Sequence, residues 1–335
     1  MALLGNYLLF MAKCATLLGL LFIFIAAIIA TASKAKTKKK IKISARSLNE
    51  HYQGLKQVIF ELTQDKKSHK AQKKEQKTLE KKHAKHNKPR LFIINFKGDV
   101  QAHAASALNE QINTILLSHQ PDDEVLLRLE SPGGVVPGYG LAAAQLTRLR
   151  DKNIPLTIAI DKVAASGGYL MASVANQVIA APLAIIGSIG VIAQLPNFHR
   201  LLEKNHIDYE QVMAGKHKRT LTIFGQNTQQ GREKLQSEVD ETLVLFKSHI
   251  QKFRPQVIID NVATGEHWYG SQALDLKLID AIQTSDDFIL SNLDEKQLIQ
   301  IECHEKQSKI DKLMKASYSA YQKMVLPKGG DFFHH

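Results

Sequence analysis

Ser166 stands in the run Asp161-Lys-Val-Ala-Ala-Ser-Gly-Gly-Tyr-Leu-Met-Ala-Ser173. Leu156 to Ile160 before it read as a buried strand, and Gly168 to Val174 as the start of a helix. A serine at such a corner is a candidate nucleophile. The N–H groups of a helix start favour negative charge, and Gly167 and Gly168 let a second backbone come close. The plainer reading is a serine that only caps a helix.

A serine hydroxyl attacks a carbonyl only when a base takes its proton. The candidate bases are His199, His206, His217, Lys216 and Lys218. A lysine serves when burial or cationic neighbours favour its neutral form, and Lys216-His-Lys-Arg219 concentrates positive charge. Basic loops are more often merely solvated. Glu130-Ser-Pro-Gly-Gly134 offers a turn whose N–H groups at Gly133 and Gly134 could face an oxyanion. A Pro-Gly-Gly alone is usually just a turn.

The elements that must position these residues alternate. Strand patterns at Leu91–Phe96, Val125–Leu129 and Leu156–Ile160 are separated by helical patterns at Ala102–Ser118 and Gly138–Leu149. Alternation of this kind predicts an α/β fold of parallel βαβ units. Functional groups gather at the carboxyl ends of such strands, where both Ser131-Pro-Gly-Gly134 and Ser166 fall. Further on, Gln177–Ala181, Gly190–Ala193 and Tyr209–Ala214 read as strands, and Phe198–Lys204 and Thr228–Phe253 as helices. The polar stretch from residue 291 onward has a helical pattern.

Charge is unevenly spread. The chain of 335 residues carries a net +12, yet residues 34–90 hold 19 Lys and Arg against 5 Asp and Glu. Residues 91–335 hold 24 against 27. The basicity belongs to a linker, which suits anionic lipid and argues against a nucleic-acid groove in the globular part. Cys14 and Cys303 form no metal-ligand spacing and no disulfide framework. His69, His83 and His86 in the linker show no ligand spacing either.

No residue between Lys13 and Lys34 is charged, and Leu17 to Ala30 is almost wholly apolar. About 20 such residues span a bilayer as a helix. Residues 1–33 are therefore expected to be an uncleaved anchor, although Ala30-Thr31-Ala32 has the small residues of a cleavage site. Residues 34–90 form a basic stem, with a helical stripe at Leu48, Tyr52, Leu55, Ile59 and Leu62. Residues 91–290 form the catalytic domain and 291–335 a helical extension. Val178 to Leu195 is apolar enough to suggest a second span, but Pro182, Gly187, Ser188 and Gly190 interrupt it, and buried strands are expected instead.

Five stretches together carry a resemblance. Ser131-Pro-Gly-Gly134, Ala165-Ser-Gly-Gly-Tyr169, Ile186-Gly-Ser-Ile-Gly-Val191, Gly215-Lys-His-Lys218 and Trp268-Tyr-Gly-Ser-Gln-Ala273 resemble the bacterial signal peptide peptidase family, over roughly residues 90–285. The resemblance implies a ClpP/crotonase-like fold and a Ser–Lys dyad without metal or organic cofactor. By it Ser166 is the nucleophile, Lys218 the base, and Ser188 the residue that orients the base. Gly133 becomes an oxyanion donor, with Gly134 and Gly167 as adjacent candidates. It also implies a homo-oligomeric ring, in which nucleophile and base can come from neighbouring subunits. Peptide or protein substrates, such as signal-peptide remnants or exported proteins, would follow.

The resemblance places the domain on the periplasmic side of the inner membrane, and the flanking charges place it in the cytoplasm; the resemblance is preferred. One departure stands out. Many members have Gly before a Leu-Val-Asp, where this chain has Lys277 before Leu278-Ile-Asp280. Gly suits a left-handed cap, so this turn is expected to be built differently. A crotonase-like acyl-CoA enzyme would need acidic residues rather than the dyad. A non-catalytic scaffold would need neither.

Overall fold

The computed structural model describes residues 9–20, 41–63 and 88–305. The chain divides into two compact units, residues 43–302 and residues 1–42 with 303–335. In the latter, residues 9–20 are helical. Most of the expected anchor, from residue 21 on, lies outside the described residues, as do residues 64–87 of the linker and 306–335 of the extension. Among the described residues no helix is long and apolar enough to cross a membrane.

The first described elements are β1 (Ile41–Ser47) and α1 (Leu48–Thr63). The expected helix thus begins at Leu48, and Ser44–Ser47 lie in a strand. There follow β2 (Arg90–Lys97), α2 (Ala105–Ser118), β3 (Glu124–Glu130), α3 (Val136–Asp151), β4 (Leu156–Ile160), β5 (Val163–Ala165), α4 (Gly167–Ala172), β6 (Gln177–Ala180) and β7 (Ile185–Gly187). The remainder is α5 (His199–Lys204), α6 (Gln229–Phe253), α7 (Ile259–Val262), β8 (His267–Tyr269), α8 (Gly270–Asp275), β9 (Ala281–Ile282), α9 (Ser285–Ser291) and β10 (Gln297–Glu305).

Seven strands form one sheet in the order β1-β10-β2-β3-β4-β6-β9. The pairings β10/β2, β2/β3, β3/β4, β4/β6 and β6/β9 are all parallel. A parallel sheet is covered on both faces, which explains the near-continuous apolar runs of its strands. Along β2, Phe92, Ile94 and Phe96 enter one core with α2 and α3, while Leu91 and Ile93 enter a second with Leu48 and Ile289. This is the two-residue period of a strand. Each such side chain, fully buried, contributes about 1.5–3 kcal/mol.

A small second sheet, β5-β7-β8, stands at the carboxyl end of the large one. An isolated bridge between Ser131 and Ala164 joins the two. Here the expected order changes. Ser166 does not follow β4 directly, because the chain turns at Asp161 and makes three residues of β5 first.

Other expectations need correction. Residues Gly190–Ala193 are not a strand; Ile185–Gly187 is, because it can pair with β5 and β8 whereas Ile192 lies exposed. Tyr209–Ala214 alternate like a strand but pair with no strand among the described residues, and Val212 is 98% exposed. Residues 297–305 are a strand rather than part of a helical extension. Leu298 enters one core and Ile301 the other, and the Gln300 side chain accepts from Arg46. Of the apolar run from Val178 to Leu195, Val178, Ile179 and Ala180 lie buried in the sheet as expected, whereas Ile192 and Leu195 at its far end are exposed.

Lys277 has φ 59°, so the left-handed turn is kept without its glycine. Its N–H donates to Leu274, the Leu278 N–H donates to Ala273, and its carbonyl accepts from buried Arg254. Arg254 also binds Asp280 at 2.7 Å, and the Asp280 carboxylate accepts the Val178 N–H at 2.7 Å. Those bonds hold a lysine in a conformation that otherwise costs about 1–2 kcal/mol.

Candidate active site

Ser166 has φ 52° and ψ −119°. A non-glycine residue in this region is strained and persists only where its surroundings hold it. Here they do. Its N–H donates to the Gly187 carbonyl at 2.7 Å, and its own carbonyl accepts the Leu170 N–H at 3.0 Å. Ala165 just before it donates to Ser131 at 3.0 Å. The turn projects the serine at a strand-to-helix corner, the geometry of a nucleophile elbow.

The Ser131-Pro-Gly-Gly134 turn packs onto this corner. Gly133 has φ 88°, and a β-carbon on it would lie 2.7 Å from the Ala165 carbonyl and 3.0 Å from the Gly167 nitrogen. A β-carbon on Gly134 would run into the Val100 backbone, and one on Gly167 into the Tyr139 ring. These glycines exist because no side chain fits. The Gly133 N–H is already engaged, donating to Ser131 Oγ at 3.0 Å. Neither the Gly134 nor the Gly167 N–H meets an acceptor among the described residues. Helix α4 has only six residues, so its contribution is unpaired N–H groups rather than a long macrodipole.

Ser166, Gly134 and Gly167 line a cavity of about 280 Å³. Its walls are mostly apolar, with Val136, Leu170, Val191, Ile192, Leu245 and Phe246, and among the described residues no carboxylate lines it. Helix α6, capped at its start by Thr228, supplies one wall. The sequence marks Thr228–Phe253 as a helix, but that its Thr242, Leu245 and Phe246 would line the Ser166 cavity was not legible there.

Helix α6 also brings His249 to the cavity, a residue the sequence reading missed. Burial pushes its imidazole below the usual histidine range, with the Leu170 backbone pulling the other way. Its Nε2 is buried without a partner among the described residues. In the sequence His249 is one histidine within a helix, and nothing about its spacing marks it.

Ser188 sits one residue past Gly187, with φ 49° and its N–H donating to Glu266 at 2.6 Å. Strand β8 holds this turn: Trp268 pairs with Ile186, and its ring fills the space where a β-carbon of Gly187 would be. The Trp268-Tyr-Gly stretch therefore serves the Ser188 loop structurally.

Lys218 stands apart from the lining of the Ser166 cavity. It is exposed, and its N–H closes a turn onto Gly215 at 3.1 Å. Its neighbours Lys216, His217 and Arg219 line a separate cavity of about 390 Å³ with Tyr209 and Thr228. The alternative bases His199, His206 and His217 do not line the Ser166 cavity either. Among the described residues no group of His, Cys, Asp and Glu could hold a metal ion.

Comparison with known proteins decides the family. Residues 2–146 match the model of the peptidase family S49 N-terminal region, and residues 148–299 match that of peptidase family S49. A probable protease SohB of Buchnera aphidicola subsp. Schlechtendalia chinensis is 48% identical over 300 residues, 85% of this chain and 98% of that protein. This chain belongs to peptidase family S49.

A second SohB relative, from Buchnera aphidicola subsp. Schizaphis graminum, is 49% identical and covers 88% of each chain. Among solved structures, a mutant of the 1510-N membrane-bound stomatin-specific protease aligns with TM-score 0.44 at 11% identity, over 69% of this chain and 99% of that one. Membership of an S49 family makes the chain a peptidase whose substrates are peptides or proteins. The family resemblance read from the motifs is thereby borne out, on a mixed α/β fold.

Proposed function

We propose that this S49 chain is a serine endopeptidase in which Ser166 is the nucleophile and Lys218, delivered by a neighbouring copy in a homo-oligomer, is the base. The observation that carries the reading is the Ser166 corner. A strained serine opens into an apolar cavity beside two unpaired N–H groups, those of Gly134 and Gly167.

Lys218 takes the Ser166 proton as Oγ attacks the carbonyl carbon. The Gly134 and Gly167 N–H groups receive the negative charge on the former carbonyl oxygen. The protonated lysine then gives its proton to the departing amine, and an acyl-enzyme remains. Water, deprotonated by the same lysine, releases the acid and returns Ser166. The Gly133 N–H supports the turn through Ser131 rather than meeting the oxyanion, which refines the expectation for that residue. Ser188 orients the base once it arrives.

An exposed lysine is a poor base, and covering it by a second copy would withdraw its ammonium from water, the condition under which a lysine gives up its proton. Apolar side chains exposed between β7 and Lys218, among them Ile192, Leu201, Val212 and Met213, support such a contact. The cavity's size and lining favour a medium apolar side chain next to the scissile bond. The ClpP/crotonase-like architecture and the N-terminal membrane anchor belong to this same proposal, with the basic stem on lipid and the catalytic domain on the periplasmic side. The lack of any carboxylate lining the Ser166 cavity among the described residues weighs against acyl-CoA chemistry.

The test is labelling of the full-length protein by a fluorophosphonate, with peptide hydrolysis measured alongside. Labelling is expected at Ser166, with both signals lost in Ser166→Ala. Hydrolysis that survives Ser166→Ala overturns the reading.

A further inference from the structure

Tyr139 and Ser131 have no role in the chemistry above, yet they meet next to its oxyanion site, where Tyr139 also lines the Ser166 cavity. Both are fully buried. Tyr139 Oη lies 2.5 Å from Ser131 Oγ and donates to the Asp99 carbonyl at 2.9 Å. Ser131 Oγ accepts the Gly133 N–H at 3.0 Å. The ends set the direction of this chain of bonds: an amide N–H can only donate and a carbonyl can only accept. The Ser131 proton therefore points to Tyr139 Oη, and the Tyr139 proton points to Asp99. Burial raises the Tyr139 phenol, which keeps it a donor.

The ring of Tyr139 does something else. It packs on Gly167 so closely that a β-carbon there would run into its Cβ and Cγ. Ser131 in turn donates its N–H to Val163 and accepts from Ala165, the strand that leads to Ser166. Tyr139 thus acts on both backbone segments that present free N–H groups, directly on Gly167 and through Ser131 Oγ on Gly133. Its hydroxyl holds the Gly133-Gly134 turn and its ring holds Gly167.

We propose that Tyr139 and Ser131 are positioning residues that set the spacing and aim of the Gly134 and Gly167 N–H groups toward the oxyanion. This rests on the reading of those two groups as its donors. The relay takes the Gly133 N–H out of the site and so turns the next peptide toward it. A phenylalanine would fill the same space as Tyr139, so the hydroxyl is explained by what it holds rather than by volume.

The experiment uses the full-length assembled protein with Tyr139→Phe, and Ser131→Ala as a second variant that leaves the ring untouched. Steady-state hydrolysis of a peptide is measured with the affinity of a peptide aldehyde, whose adduct on Ser166 carries the oxyanion. A non-covalent peptide of the same sequence is the control. In both variants kcat is expected to fall about 10–100-fold, somewhat less than for outright loss of an oxyanion donor. KM is expected to stay within about threefold, and aldehyde affinity to fall in parallel with kcat while the control peptide binds as before.

Unchanged kcat with a lowered melting temperature would make the relay structural only and overturn the proposal. A raised KM with unchanged kcat would do the same. Should the wild type form no aldehyde adduct at Ser166, the reading of Ser166 fails, and the proposal with it.

Discussion

Gly133 and Ser166 lie so close that a β-carbon on Gly133 would fall 2.8 Å from the Ser166 Cβ. The turn after β3 and the corner after β5 are thus a single packed unit. Gly133 also has φ 88°, where L-residues are strained. Gly133→Ala is expected to cut peptide hydrolysis at least about 100-fold and to cost about 2 kcal/mol of stability. Hydrolysis rates together with urea unfolding check both.

Lys277 holds a left-handed turn that glycine adopts freely. Lys277→Gly is expected to stabilise the protein by about 0.5–1 kcal/mol, after allowing for the extra freedom of glycine in the unfolded chain. Activity should not change, because the turn lies away from the Ser166 cavity. Thermal unfolding measures this directly.

Arg254 is 1% exposed and pairs with Asp280. Asp280 itself is exposed and also accepts the Val178 N–H, so removing Arg254 takes away charge-assisted hydrogen bonds rather than stranding a buried carboxylate. Arg254→Met is expected to destabilise by about 1.5–3 kcal/mol, with Asp280 and the Lys277 carbonyl each losing one charged donor. Denaturant midpoints at constant m-value report the loss.

His249 gives the stability a dependence on pH. Burial holds its folded imidazole below the ordinary value of 6.5. Between that value and its lower folded one, the unfolded chain binds more protons than the folded chain. Stability therefore rises with pH through this window and is lost as pH falls below about 6.5. Urea unfolding at pH 7.5 and 5.5 is expected to show that loss, and His249→Leu should remove His249's share of it.

The strands β2, β3, β4 and β6 were legible because parallel strands covered on both faces are short apolar runs. Ser166, Gly133, Gly134 and Gly167 were legible as a motif, and the structure brings the four together. Other features depend on tertiary pairing. Tyr209–Ala214 has the alternation of a strand and pairs with none among the described residues, whereas Ile185–Gly187 is a strand because β5 and β8 flank it. β10 looks helical in sequence because its polar residues Gln297 and Gln300 interrupt the apolar pattern, although Gln300 is buried through its bond to Arg46. His249 reaches the cavity only because α6 crosses over α4, which no local spacing records.

If Ser166 is served by Lys218 of a neighbouring copy, mixing two inactive variants restores activity. Ser166→Ala and Lys218→Ala, each expected to be inactive alone, are co-assembled and assayed for peptide hydrolysis. Activity is expected to return on mixing, since an intact Ser166 in one copy then meets an intact Lys218 in the next. Co-assembled but inactive mixtures, or Lys218→Ala active by itself, would contradict that pairing.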